Sequence, residues 1–455
     1  MRLVLRVFFR RIEIAGAEHI PAEGPTLFVL NHPNGLVDPL FLLCFAPRTV
    51  SFLAKEPLFR MPVVGFFVRA FGSIPVYRRQ DPGSDVSRNR ETFAQARALL
   101  SGGGVLALFP EGASHDESKL LGFKTGAARI GLGVASKNPG AAGVATKEDL
   151  RIVPAGLYYT WKIRFRSSAL LSFGEPFPVA PVALDERGEP PREATRELTS
   201  RIEAALSKTM LQAESREALD LVRRAERIFS IEPEGSPMPL AEQLDLRRRF
   251  VEGARLLRQR DLSRFAAIEA RIARFESERK EAGLPLGDLT PESLTARSLA
   301  RLVAGNLGSL LLLPFAALGA FLHYPAYRLA GFLADQFARG DEDQKATIKA
   351  GAAVLLFPAT WAACAAAAGL LLGLRAALVA AAVAPVSGYA ALRAQETLDV
   401  LVGRGRALLS VFSRDSSVRR LLAERRALRE EILKIATELD LLAAPPPSPF
   451  DSTET

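Results

Sequence analysis

Apolar and polar positions follow two different periods along this chain, and the change of period divides it. In the first stretch, apolar runs of strand length are separated by segments with helical spacing. Thr26 to Leu30, Arg48 to Phe52, Ser73 to Tyr77, Val105 to Phe109 and Arg151 to Tyr159 read as strands. Asn89 to Leu100 has helical spacing and stops at the glycines Gly102 to Gly104. Strands alternating with helices predict an α/β fold, a mostly parallel sheet flanked by helices. Such sheets gather their chemistry at the strand ends.

Beyond about residue 213 the period turns helical. Phe265, Ile268, Ile272 and Phe275 form a narrow seam, which predicts a charged helical hairpin over 214–292 with a loop at Glu232 to Pro239. Thr290 and Pro291 read as the cap and first residue of the next helix. Residues 302–327, 350–374 and 376–392 carry no Asp, Glu, Lys or Arg. A bilayer span needs about 20 such residues, so the second and third runs predict spans, joined tightly at Arg375. The first run holds Pro314, His323 and Pro325 and is read as re-entrant. Arg297, Arg301, Arg328, Arg339, Lys345, Lys349, Arg393, Arg404 and Arg406 then share one side, with only Arg375 opposite. Val418, Leu421, Leu428, Ile432, Ile435 and Leu439 make a second seam, interrupted by Arg425, expected to pack on the Phe265 seam. The prolines from Pro445 to Pro449 predict a disordered tail. The expected units are 1–213, 214–292, 293–395 and 396–455.

Composition narrows the setting. A net charge of +9 suits an anionic surface. The apolar runs favour a lipid bilayer as partner, and no nucleic-acid motif is present, so the chain reads as an integral membrane protein. The two cysteines, Cys44 and Cys364, exclude a disulfide framework and read as buried thiols. The first eleven residues are broken by Arg6 and do not read as a signal peptide. They fit an interfacial helix with Leu3, Val4, Val7 and Phe8 on one face and Arg6, Arg10 and Arg11 toward lipid phosphates, or an ordinary helix packed on the core.

Four constellations carry chemistry. In the first, Asn31-His32-Pro33-Asn34-Gly35-Leu36-Val37-Asp38-Pro39, a histidine can act as general base near neutral pH, and a carboxylate on its other nitrogen fixes the tautomer. An i, i+6 pair meets only if the chain turns between, as Pro33 and Gly35 allow. In the second, Gly72-Ser73-Ile74-Pro75-Val76-Tyr77-Arg78-Arg79, two arginines leave a strand end, and Arg suits phosphate. The third runs from Phe109-Pro110-Glu111-Gly112-Ala113-Ser114-His115-Asp116 to Phe123-Lys124-Thr125-Gly126. Glu111 leaves a buried strand, and Gly112 lets a ligand approach the backbone. Gly112-x-Ser114 partly fits a nucleophile elbow, but Asp116 stands where that motif needs glycine. His115, Asp116 and Glu117 read as a polar turn rather than a metal site. The fourth, Val153-Pro154-Ala155-Gly156, is followed by Tyr158, Tyr159 and Trp161, which fit either a pocket wall or core.

In this order the four blocks resemble those of the glycerolipid acyltransferase family over about residues 12–180. The resemblance implies that His32 is the general base and Asp38 its partner. It implies that Arg78 binds the acceptor phosphate, that Glu111 and Gly112 help bind the acceptor, and that Val153 and Pro154 match the fourth block; Arg79 and Lys124 are expected as further substrate contacts, and Val153 and Pro154 as pocket wall. The five-residue His–Asp spacing, the Ser114-His115-Asp116 wording and Asp341 to Thr347 between the apolar runs resemble the subgroup that acylates glycerol-3-phosphate or dihydroxyacetone phosphate. The expected reaction takes an acyl group from a coenzyme A or acyl-carrier-protein thioester, with no metal or cofactor, on the cytoplasmic face. The rival readings are a lysophosphatidic acid or lysophospholipid acyltransferase, a serine hydrolase acting through Ser114, and a non-catalytic membrane scaffold.

Overall fold

The computed structural model describes residues 1–81, 83–115, 117, 119–136, 149–161, 165–229, 238–282, 300, 303–305, 307–337, 342–412 and 416–441. Helix α1 (Arg2–Phe8) leads into β1 (Phe9–Ala15). There follow β2 (Thr26–Leu30), α2 (Val37–Phe45), β3 (Ser51–Lys55), α3 (Pro57–Arg60), α4 (Pro62–Ala70), β4 (Ile74–Val76), α5 (Asn89–Ser101) and β5 (Val105–Leu108). Then come α6 (Gly126–Ala135), β6 (Arg151–Tyr159), β7 (Ser167–Phe173), β8 (Phe177–Pro178) and α7 (Arg192–Ser207).

One sheet joins the strands in the order β1-β7-β6-β2-β5-β3-β4, with β8 beside β6. β6, β2, β5, β3 and β4 run parallel, and β7 with β1 runs the other way. The C-terminal ends of β2, β5, β3 and β4 therefore lie along one edge, and β7 and β1 begin at that same edge. β2 is buried at every position, and apolar at all but Thr26, because both faces are covered. Phe28 and Leu30 join a core with Leu5 and Phe8 of α1 and Phe41 and Leu42 of α2. Leu27 and Val29 join the opposite core with Leu100 of α5, Ile130 of α6 and Ile202 of α7.

Two expectations shift here. The strand expected from Arg48 starts at Ser51, because the Arg48 guanidinium donates to the carbonyls of Gly24 and Gly103, both at 2.7 Å, and holds its segment in a loop. In α1, Leu5 and Phe8 enter the core while Leu3 and Val7 are exposed, so the helix is neither wholly interfacial nor wholly core.

The helical region holds α8 (Arg216–Phe229), α9 (Leu240–Arg260) and α10 (Leu262–Glu281), and the chain's last described helix, Ser416–Glu438, returns to it. The two expected seams meet: Ile272 and Phe275 pack with Leu421 and Leu428. Arg271 adds hydrogen bonds to Glu424 at 3.0 Å and Glu431 at 2.7 Å. The interruption at Arg425 has a cause, since its buried guanidinium donates to the Ile228 carbonyl at 3.1 Å and caps the C-terminal end of α8. Most of the loop expected at Glu232 to Pro239, the Thr290–Pro291 cap, the side chains of Asp341 to Asp343, and the proline tail lie outside the described residues or side chains.

The apolar runs form α11 (Leu307–Leu311), α12 (Leu313–Phe337), α13 (Glu342–Leu372) and α14 (Leu374–Phe412), which makes Ser416–Glu438 α15. Ile348–Leu372 and Leu374–Leu398 are long and apolar enough to cross a bilayer. Their turn pivots on Gly373, at φ +88°, rather than on Arg375. The reversal expected of a re-entrant first run is absent among its described residues. Backbone bonds from Leu312 N to Gly308 O and from Ala316 N to Leu312 O carry the helix across the junction of α11 and α12. α12 packs closely on α14, where a Cβ on Gly319 would lie 2.0 Å from the Ser387 carbonyl oxygen. His323 donates from Nδ1 to Gly319 O and accepts from the Trp361 indole at Nε2, both at 2.8 Å, which satisfies its ring. Two contacts attach these helices to the sheet: Ala350 packs on the α1–α2 core, and Glu396 pairs with Arg166 at 2.7 Å just before β7.

Candidate active site

His32 stands two residues beyond the end of β2. The side chain of Asn31 fixes the strand end by donating to Leu157 O at 2.9 Å and accepting from Leu157 N at 2.7 Å. The chain then turns through Gly35, at φ +40°, and enters α2 at Val37, so Asp38 lies in the first helical turn. The turn overcomes the i, i+6 separation. His32 Nδ1 lies 2.9 Å from Asp38 Oδ2. Asp38 Oδ2 also accepts the Asn34 N–H at 2.7 Å, and Oδ1 accepts the Tyr159 hydroxyl at 2.7 Å. The carboxylate is fully buried at the positive end of α2, with three donors around it. Burial, the Asp38 charge and the bond to Asp38 push the Tyr159 hydroxyl well above its ordinary pKa, so it remains a donor.

With Nδ1 facing a carboxylate, the tautomer that satisfies both groups carries its proton there and leaves the Nε2 lone pair available. The His32 ring lies flat on Phe109, with centroids 3.8 Å apart and planes 12° apart. Its side chain keeps 17% of its surface open. A buffered, oriented imidazole with one open nitrogen is suited to removing a proton from a hydroxyl.

Glu111 departs from the expectation that it meets substrate. Its carboxylate is fully buried. Oε1 accepts the backbone N–H of His32 at 3.1 Å, and Oε2 accepts the Leu121 N–H at 2.9 Å and receives His115 Nε2–H. His115 also donates its backbone N–H to the His32 carbonyl at 3.2 Å. Glu111 thus ties the third block to the first from inside the protein. The loop that follows folds back over the carboxylate and takes up its lone pairs.

Arg78 leaves β4 and aims across this edge. Nε and Nη2 donate to Asp81 at 2.9 and 2.6 Å, and Nη1 donates to Gly112 O at 2.9 Å. The bonds from Arg78, above all, hold the Asp81 carboxyl below its ordinary pKa. Arg78, Glu111 and Gly112 are therefore joined to His32 through one continuous set of contacts. Gly112 needs its glycine at φ +77°, and Lys124 lies over it. Lys124 and Arg79 are exposed. Val153 and Pro154 do not form an open wall. Both are buried in β6, paired with Phe28 and Val29 of β2, because β6 lies inside the sheet. Ser114 is not on a nucleophile elbow, which needs a helix directly after the strand: β5 ends at Leu108, and α6 begins only at Gly126. Among the described residues no three His, Cys, Asp or Glu side chains gather as metal ligands.

Residues 11–157 match the model of the acyltransferase family, a range that contains the dyad, Arg78 and Glu111. The likeness to the acyltransferase family lies in this part of the chain. Glycerol-3-phosphate O-acyltransferase 1 of Saccharomyces cerevisiae is 26% identical over an alignment that covers 79% of this chain and 57% of its own. Glycerol-3-phosphate O-acyltransferase 2 of the same yeast is 23% identical, covering 55% of this chain and 46% of its own, so the chain spans about half the length of these relatives. The chloroplastic 1-acyl-sn-glycerol-3-phosphate acyltransferase of Arabidopsis thaliana is 29% identical over 34% of this chain and 38% of its own.

Two members of the acyltransferase domain's hydrogen-bond array escaped sequence reasoning. Tyr159 stood among the aromatics after the fourth block, yet its partner is 121 positions away. Tyr158 and Tyr159 carry adjacent hydroxyls in a buried strand, and only that of Tyr159 has a hydrogen-bond acceptor among the described residues, so the sequence offered no sign of which one would. His115 read as a turn residue, and nothing local marks it as the mate of Glu111.

Proposed function

We propose that this chain transfers a fatty acyl group from a coenzyme A or acyl-carrier-protein thioester to a hydroxyl of glycerol-3-phosphate or dihydroxyacetone phosphate, without a metal or bound cofactor. The observation that carries the reading is the buried Asp38–His32 pair with Tyr159 behind it and an open Nε2 in front. The acceptor hydroxyl loses its proton to His32 Nε2 as its oxygen attacks the thioester carbonyl. Asp38 steadies the resulting imidazolium. The tetrahedral intermediate collapses, the C–S bond breaks, and Nε2 returns the proton to the leaving thiolate. Three of the five Arg78 N–H donors are engaged within the protein, which leaves two for a phosphate, with Arg79 and Lys124 as exposed cations nearby. The extent of the likenesses favours the small acceptor. The glycerol-3-phosphate acyltransferases align over 79% and 55% of this chain, well past the acyltransferase domain, whereas the chloroplastic lysophosphatidic acid enzyme aligns over 34%. The α13–α14 hairpin holds the domain at a bilayer, with the bases of the two helices on the cytoplasmic side.

The test is acyl transfer by the purified full chain in detergent, with a labelled acyl thioester offered to glycerol-3-phosphate, dihydroxyacetone phosphate and lysophosphatidic acid. Product with a small acceptor, lost in His32→Ala, supports the reading. Preference for lysophosphatidic acid moves the chain to the remodelling class. Equal product from His32→Ala removes the dyad mechanism.

A further inference from the structure

Apart from the apolar helices, large exposed hydrophobic side chains of the described residues gather at two places, Met1, Leu3 and Val7 at the N-terminus, and Met61, Phe66 and Phe67 at the α3–α4 junction and on α4. Met61 is 46% exposed, Phe66 63% and Phe67 46%. The rings of Phe66 and Phe67 touch each other edge to face and leave their outer surfaces bare. Burying a phenylalanine typically stabilises by about 1.5–3 kcal/mol, so two bare neighbours mark a contact surface rather than a packing accident.

The topology indicates what covers them. The β2–α2–β3 and β3–α3–α4–β4 connections advance in the same direction across parallel strands. Right-handed crossovers then put α3–α4 on the α2 face of the sheet. That face carries α1, and against its core packs Ala350 at the base of α13. Arg166, which pairs with Glu396 of α14, sits at the edge where β7 starts, the edge that also carries His32 and the start of α3. A bilayer around α13 and α14 that runs along this edge therefore also reaches α3–α4, across the width of β6, β2 and β5. The charge agrees. Arg60 and Arg69 flank the apolar patch, Arg60 with 72% of its side chain exposed and Glu56 as its partner, Arg69 bonded to the Phe59 carbonyl. Aromatic rings bordered by arginines fit lipid chains beneath anionic headgroups.

We infer that α3–α4 is a second lipid anchor, with Met61, Phe66 and Phe67 among acyl chains and Arg60 and Arg69 at the phosphates. It rests on the membrane attachment proposed above. Because α3 starts two residues after β3, this anchor holds the mouth of the site at the level where lipid substrate and product reside. The test uses the full chain with Cys364→Ala, reconstituted in phosphatidylcholine–phosphatidylglycerol vesicles; Cys44 is buried. An environment-sensitive fluorophore is attached after Phe66→Cys, after Leu370→Cys in the α13 tip, or after Arg90→Cys on exposed α5. The expected result is blue-shifted emission, lost to nitroxide-labelled acyl chains, at 66 and 370 but not at 90. Quenching at 370 with water-like emission at 66 overturns the anchor alone. Water-like emission at 370 overturns the anchor and the membrane attachment together.

Discussion

Two buried carboxylates stand at neighbouring strand ends, and each holds a histidine. Asp38 takes His32 by Nδ1, and nothing among the described hydrogen bonds occupies the other nitrogen. Glu111 takes His115 by Nε2, and His115 Nδ1 accepts the Glu117 N–H at 3.2 Å, so both nitrogens are engaged. Two carboxylate–histidine pairs thus differ in availability. The first leaves a lone pair for a reacting hydroxyl. The second closes on itself and uses its remaining oxygen to hold the His32 backbone. A motif match alone would rank Glu111 with the substrate contacts, whereas its bonds make it a brace for the His32 backbone.

Substitutions can break that contrast. The largest effect belongs to His32→Ala, which should lower the transfer rate by about 10²–10⁴ in protein that still folds, at a stability cost of about 1–3 kcal/mol for the donor stripped from Asp38, read by product formation and by unfolding of the same preparation. Asp38→Asn should follow at about 10²–10³, because an amide no longer holds the Nδ1 proton or steadies the imidazolium, and the pH–rate profile should change with it. On the other pair the order should invert. His115→Ala should keep the rate within about tenfold yet cost about 1–3 kcal/mol in denaturant unfolding, since it strips a donor from a buried carboxylate. A large rate loss with unchanged stability in His115→Ala would erase the distinction.

The smallest effect sharpens it. The Tyr159 hydroxyl has a raised pKa in the folded protein, so the native state holds that proton more tightly than the unfolded chain. Its contribution is complete below the ordinary phenol value of about 10 and is lost as pH rises beyond it. Tyr159→Phe should cost about 1 kcal/mol at neutral pH, and its unfolding midpoint should fall less steeply than wild type above about pH 10.

Much of this was legible from local pattern. β2 and β6 begin and end where their apolar runs do, and the two helical seams meet because their spacing left each with one bare stripe. The His32–Asp38 contact was legible because proline and glycine announced the turn. What stayed hidden depends on distant backbone. Arg425 looked like a flaw in its seam until the end of α8 supplied carbonyls for it. Glu111 could face out or in, and only the bonds it receives from His115 and Leu121 decide. Arg48 belonged to its apolar run by spacing, but carbonyls from two other loops claimed it. The reversal expected before Arg328 came from counting charges, which does not see Gly319 pressed against Ser387.

β2 lies between β5 and β6 rather than at the end of the sheet. A ribosome releases His32 and Asp38 early, but Leu157, which clasps Asn31, and Tyr159, which supports Asp38, emerge more than a hundred residues later. The strand that leads to His32 has no second neighbour until then. An emerging chain therefore carries the His32 imidazole unsupported, and assembly of the proposed site waits for the last of these strands to be made. On the proposed reading, the order of synthesis would delay chemistry until the domain around it is complete.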